Sequence, residues 1–157
     1  MHDPTVRPAR PDEAKAIAKL VRGSIAELCV DDHDGDEEKL AQWLATKTAD
    51  NIAAWIAAPD LSVVVIGCST GLAAVGCCRD DGVILRNYVS PFYRFQGLSG
   101  RMLDYLEASI AARGLATARL VSTRTAIPFY RQRGWEAYGD PIPCAGVVGQ
   151  PMKKDLR

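Results

Sequence analysis

Apolar residues recur along this chain at two spacings, and each spacing predicts a different element. Ile17, Leu20, Val21, Ile25 and Leu28 fall at steps of three and four with Lys15, Lys19 and Arg22 on the other sides. That is one buried helix face, and Pro11, Asp12 and Glu13 open it as helix N-termini prefer. Ahead of it, residues 5–10 (TVRPAR) read as a short edge strand interrupted by Pro8. The acidic run DDHDGDEE at 31–38 breaks the period, EKLAQWLATK predicts a second helix, and DNIAAWIAAPD is a short helix or a loop stopped by Pro59. Residues 61–69, 72–79 and 83–89 are β-branched or apolar runs separated by turn signals at Gly71 and at DDG (80–82). Three strands joined so closely must form an antiparallel meander.

The helical spacing returns at Met102, Leu103, Leu106 and Ile110 and ends at Gly114. A strand at 117–122, a short helix at 125–134, a strand or turn at WEAYGD and a final strand in AGVVGQPMKKDL complete the chain. The order predicts a mixed α/β sheet with helices on both faces, in a single domain over residues 1–157.

Composition narrows the class. The 157 residues are 48% hydrophobic and 24% charged, which suffices for one real core. Nineteen Lys and Arg balance nineteen Asp and Glu, so nothing global calls for nucleic acid or an anionic membrane. The N-terminus has no apolar leader and no segment reaches the roughly 20 apolar residues that span a bilayer. The expectation is a soluble, cytoplasmic protein. Cys29, Cys68, Cys77, Cys78 and Cys144 lack the paired C-x-x-C spacing of a zinc site and are expected as small buried residues. Nor is the acidic run a calcium loop, because Trp43 stands where the bidentate glutamate is required. No metal is expected.

The chemistry concentrates in VSPFYRFQGLSGRML (89–103). A strand stops, a loop with Gly97 and Gly100 follows, and a helix starts near residue 98, so several backbone N–H groups converge with Arg94 and Arg101 beside them. The loop is either an ordinary strand-to-helix turn or an anion cradle. No Lys-Ser or Lys-Thr follows the glycines, and the G-x-G-x-x-G spacing is missing, which removes two common nucleotide loops. The stretch does resemble motif A of the GNAT superfamily of N-acetyltransferases, V-x-P-x-x-R/Q-x-x-G-x-G/A, through Val89, Pro91, Arg94, Gly97 and Ser99. Downstream, TAIPFYRQRGW is similar to that family's A-x-x-F/L-Y-x-x-x-G-F segment. The chain departs from the pattern at Phe95, at Ser99, and at Thr123, where many members carry an asparagine that contacts the cofactor.

The resemblance implies a mixed, mostly antiparallel central sheet of about six to seven strands, splayed in the middle between 83–89 and 117–122. It implies acetyl-CoA in that splay, with the backbone at Tyr88 and Val89 pairing with the pantetheine arm. Arg94, Gln96, Gly97, Leu98, Ser99, Gly100 and Arg101 would surround the pyrophosphate, and Thr123 would stand at the cofactor contact. The implied reaction is direct acetyl transfer to a primary amine of a small molecule or protein in a ternary complex. Tyr130 would protonate the departing thiolate, a task a phenol with a reference pKa of about 10 can perform; its other reading is a core aromatic.

No residue stands out as general base. Asp31, Asp32 and His33 border the acceptor site in the resemblance, or form a solvated loop. Arg124 is either a carboxylate clamp or a surface arginine. Trp43, Trp55 and Trp135 read as core or rim packing, and at most one of Cys77 and Cys78 faces the cleft. Two further readings keep the scaffold: a silent acyl-CoA sensor and a transferase of another acyl group. The edge strands also leave room for a homodimer.

Overall fold

A computed structural model describes residues 5–144 and 146–157. Residues 1–4, in the N-terminal stretch, and Ala145, the expected first residue of the last strand, lie outside the described residues. Strand β1 (Val6–Pro8) leads through a 3-10 turn into α1 (Ala14–Leu28), followed by α2 (Val30–His33), α3 (Glu37–Leu44) and α4 (Ala49–Ala57). The meander is β2 (Leu61–Cys68), β3 (Gly71–Arg79) and β4 (Val83–Val89). Helix α5 (Leu98–Ala112), β5 (Thr117–Thr123), α6 (Ile127–Gln132), β6 (Glu136–Ala137), β7 (Ile142–Cys144) and β8 (Val147–Asp155) complete it.

Among the described residues the sheet has eight strands in the order β1-β2-β3-β4-β5-β8-β6, with β7 paired to β8. Two elements depart from the sequence reading. The acidic run contains the short helix α2, because Asp32 and His33 bury their side chains against the fold instead of facing water. Strand β7, carrying Pro143 and only three residues long, has no readable period of its own.

Each face of the sheet carries a core. On one, Met102, Leu103, Leu106 and Ile110 of α5 pack on Ile66, Ala74, Leu120 and Met152. On the other, Ile17, Val21 and Ile25 of α1, Trp43 of α3 and Ile52 of α4 pack on Val63, Val65, Val75 and Cys77. Each fully buried aliphatic side chain contributes about 1.5–3 kcal/mol, so the stripes in the sequence specify which way every helix faces. Leu28, expected on the buried face of α1, is instead half-buried and lines a cleft. The cysteine expectation needs a similar correction. Cys77 and Cys78 are buried, Cys29 and Cys68 are half-buried, and Cys144 on the short edge strand β7 is exposed; all five are free thiols. Among the described residues no helix is long and apolar enough to cross a membrane, and no cluster of ligands suits a metal ion.

Two irregularities position the site. Cys77 pairs with Arg86 but Cys78 pairs with Ile84, so Leu85 is an extra residue in β4. Such a bulge re-aims the side chains beyond it. Strands β4 and β5 run parallel and are in register only at Val83 with Arg119 and Ile84 with Leu120. Beyond that point they separate, and the β5-facing edge of residues 85–89 has no strand partner.

Candidate active site

The gap between β4 and β5 opens into a cleft. One part, of about 600 Å³, is lined by Leu28, Asn87, Val89, Arg94, residues 97–100, Thr125, Phe129, Tyr130 and Arg133. An adjoining part of about 200 Å³ runs between the strands past Arg86, Asn87, Tyr88, Val121, Ser122 and Thr123. The two share Asn87, Val89, Ser99 and Tyr130.

At the outer end, Gly97 caps α5 with φ 76°, a left-handed conformation that suits glycine, and an added Cβ there would meet no atom within 4 Å. Its carbonyl accepts the first helical bond from Arg101 N at 3.1 Å. The amides of residues 98–100 have no carbonyl partner within the helix, so the positive end of a fifteen-residue helix faces the cleft. At Gly100 an added Cβ would overlap the Arg133 guanidinium, which stacks on Phe129 with its carbon 4.9 Å from the ring centroid. Arg133 was not singled out from the sequence, where it is one of the unspecified positions between Tyr130 and Gly134. Only α6 folding back onto α5 brings it to the amides.

Arg94 lies over the Phe95 ring at 5.2 Å and lines the same cleft. Gln96 and Arg101 are exposed on the adjoining surface, while Leu98 turns its side chain into the core and leaves its amide at the helix start. Phe95 holds φ 64° and is 94% exposed. A bulky residue thus occupies a left-handed position with its ring exposed to water at the rim of the same cleft. Tyr88 and Val89 close the free edge of β4. Thr123, at the end of β5, accepts at its carbonyl from Ser122 Oγ at 2.7 Å and from Ala126 N at 3.2 Å.

Tyr130 sits where the two parts of the cleft meet. It is 8% exposed and packs edge-on against Phe129 and Trp135 at 5.0 and 5.9 Å. Burial pushes its phenol up to about 12, against a smaller opposing effect of a hydrogen bond from Asn87. The group therefore holds its proton at neutral pH. Asn87 also donates to the Ser99 carbonyl at 3.4 Å, linking β4 to the first turn of α5. Nothing in its local sequence marked it.

The acidic loop is largely engaged within the protein. Asp32 accepts from Thr125 N at 3.1 Å and from the Thr125 hydroxyl, fastening α2 to the loop after β5. His33 is 2% exposed; its Nδ1 accepts from Gly35 N at 3.2 Å and its Nε2 donates to the Ile25 carbonyl at 3.2 Å. Neither ring nitrogen is left free to carry a proton to a ligand. Arg124 is exposed, donates to the Asp31 carbonyl and lies 3.6 Å from Asp34, which also pairs with Lys39 at 3.0 Å. Asp36 caps α3 through the amides of Glu38 and Lys39. Asp32, Asp34, Lys39 and Arg124 border a separate cavity of about 440 Å³ beside β8, not the strand gap.

A helix start with unpaired amides, a strand edge without a partner and a buried phenol thus share one cleft. A family model described as the acetyltransferase (GNAT) domain matches residues 30–156. Among solved structures, a GCN5-related N-acetyltransferase from Rhodopseudomonas palustris is 23% identical, with TM-score 0.87 over 99% of this chain and 97% of that one. PaiA N-acetyltransferase from Thermoplasma acidophilum, solved in complex with coenzyme A, is 15% identical, with TM-score 0.80 over 98% and 99%. An aminoglycoside 6'-N-acetyltransferase complexed with coenzyme A is 14% identical, with TM-score 0.69 over 98% and 97%. No curated protein matches the chain by sequence. The family model spans most of the chain, the fold agrees with it, and the protein belongs to the GNAT family of acetyltransferases.

Proposed function

We propose that the protein transfers the acetyl group of acetyl-CoA directly to a primary amine of a small molecule or a protein, with both substrates bound at once. The observation that carries this reading is the continuity of the cleft from the α5 amides, along the unpaired edge of β4, to the Tyr130 phenol. The residues fit the donor by chemistry. Amides 98–100 with Arg133 and Arg94 suit a pyrophosphate. The free edge at residues 85–89 offers N–H and C=O groups to an amide-bearing arm, as an added strand would use them.

When bound, acetyl-CoA supplies a thioester, which a neutral amine can attack. The cleft holds the arm in place and so limits the orientations of the reacting carbonyl. As the N–C bond forms and the C–S bond breaks, Tyr130 gives its proton to the sulfur. The proton shed by nitrogen restores the phenol through solvent, leaving an amide and a free thiol. With both His33 nitrogens bonded to backbone, no side chain of the α2 loop is assigned as base, and solvent takes that part.

The test is calorimetric titration with acetyl-CoA and CoA, comparing wild type with Gly97→Trp, whose fold is checked by circular dichroism. Micromolar binding that the substitution abolishes, followed by thiol release with an amine panel, is expected. Wild-type protein that binds neither ligand would overturn the reading, and binding without thiol release from any amine would make the chain a sensor.

A further inference from the structure

Beyond the β4 bulge, Arg86 turns to the face of the sheet opposite α5. It packs its guanidinium flat on Trp55, with the carbon 3.5 Å from the ring centroid. The indole covers one face of the fork. Arg86 Nε is buried and has no hydrogen-bond partner. Leaving a charged donor buried and unsatisfied is unfavourable, and such a group in a cleft requires an explanation.

Among the described residues the Arg86 side chain has the neutral Cys77 thiol as a polar neighbour but no anion. Lys47 places its ammonium 5.8 Å from the centroid of the same indole, and its pKa is lowered by burial and by the Arg86 charge. Among the described residues neither cation is in ion-pair contact with a carboxylate. The Cys77 thiol beside Arg86 is pushed up to about 11 by burial, and the Tyr88 phenol is raised for the same reason, so both stay neutral. Two cations therefore share one aromatic wall without a counter-charge. Arg86 lines the strand gap together with Asn87, Ser122 and Tyr130, so this residue of β4 borders the cleft that reaches the phenol.

We infer that the amine acceptor carries a carboxylate, which the Arg86 guanidinium binds, with Lys47 adding charge. The inference rests on the transferase reading and specifies its acceptor. Arg124, the other candidate clamp, is already engaged with Asp31 and Asp34.

The test titrates the CoA-saturated full-length protein with free amino acids and with ω-amino carboxylates from glycine to 6-aminohexanoate, each against its carboxamide. Thiol release from acetyl-CoA is followed in parallel. At least one carboxylate is expected to bind about tenfold or more tightly than its amide, as loss of a charge-assisted pair implies. Arg86→Gln should erase the difference and Arg86→Lys retain part of it, with CoA affinity unchanged within about twofold in both as the folding control. Equal or tighter binding of every amide, no binding of any carboxylate, or a preference that survives Arg86→Gln would overturn the inference. Thiol release with neutral amines in those cases would leave the transferase reading standing. Wild-type protein that binds no CoA would remove both.

Discussion

In the proposed transfer the Tyr130 hydroxyl stays protonated in a buried site and then releases its proton to sulfur. Its surroundings favour the first task, because desolvation penalises the phenolate. Removing the hydroxyl while keeping the ring should leave the packing against Phe129 and Trp135 intact. Tyr130→Phe is therefore expected to lower kcat on the order of 100-fold, the usual range for a lost general acid, with acetyl-CoA affinity changed less than about twofold by calorimetry. Unchanged kcat would remove the acid role. Arg133 makes the opposite separation. It lies over Gly100 at the start of α5, where the proposed donor would place its phosphates. Arg133→Gln should weaken CoA binding about 10- to 100-fold, with a shallower salt dependence, while kcat at saturation is nearly kept.

Edge elements depend on a few polar contacts. Strand β1 pairs only with β2, over three residues, and the turn that follows it is fixed by Glu13, which accepts from Arg7 Nη1 and Nη2 at 2.8 Å each and from Arg10 N at 2.8 Å. The Arg7 hydrogen bonds outweigh the opposing burial and hold the Glu13 carboxyl down to about 2, from an ordinary 4.5. A depressed carboxyl stabilises the fold fully above its unfolded pKa and loses that contribution as pH falls through the folded one. Glu13→Gln should cost on the order of 2 kcal/mol in urea unfolding at pH 7, a gap that narrows below about pH 4.5 and closes near pH 2. A gap independent of pH would assign the loss to packing.

The same scale explains what could be read in the sequence. Elements with their own period, α1, α5 and the meander, were legible because each buries a continuous stripe. The glycine-capped start of α5 was legible because Gly97 and the first turn of the helix are adjacent in the chain. Arg86, Asn87 and Arg133 were not, since a one-residue bulge and the return of α6 onto α5 decide where their side chains point. Helix α2 was hidden by composition, its acids resembling a solvated loop until Asp32 met Thr125, ninety-three residues away.

Across the molecule, the strand gap leaves β1 to β4 and β5 to β8 joined in register by only two residue pairs. The core under α5 is what bridges the halves, through Ile84 and Val89 on one side and Leu120 and Met152 on the other. A donor lying along β4 and under the α5 amides would add contacts to both halves at their weakest join. It would also bind only the folded chain, so it must stabilise by mass action. At CoA one hundred times its Kd that linkage is worth about 2.7 kcal/mol, which for a chain of this length raises Tm by about 5–10 °C. Gly97→Trp should lose the shift, because the indole enters the space the phosphates need, and Tyr130→Phe should keep it, because its effect falls on the chemical step. A CoA-induced shift that persists in Gly97→Trp would place the ligand elsewhere on the molecule, and scanning calorimetry of the three proteins with and without CoA decides between these outcomes.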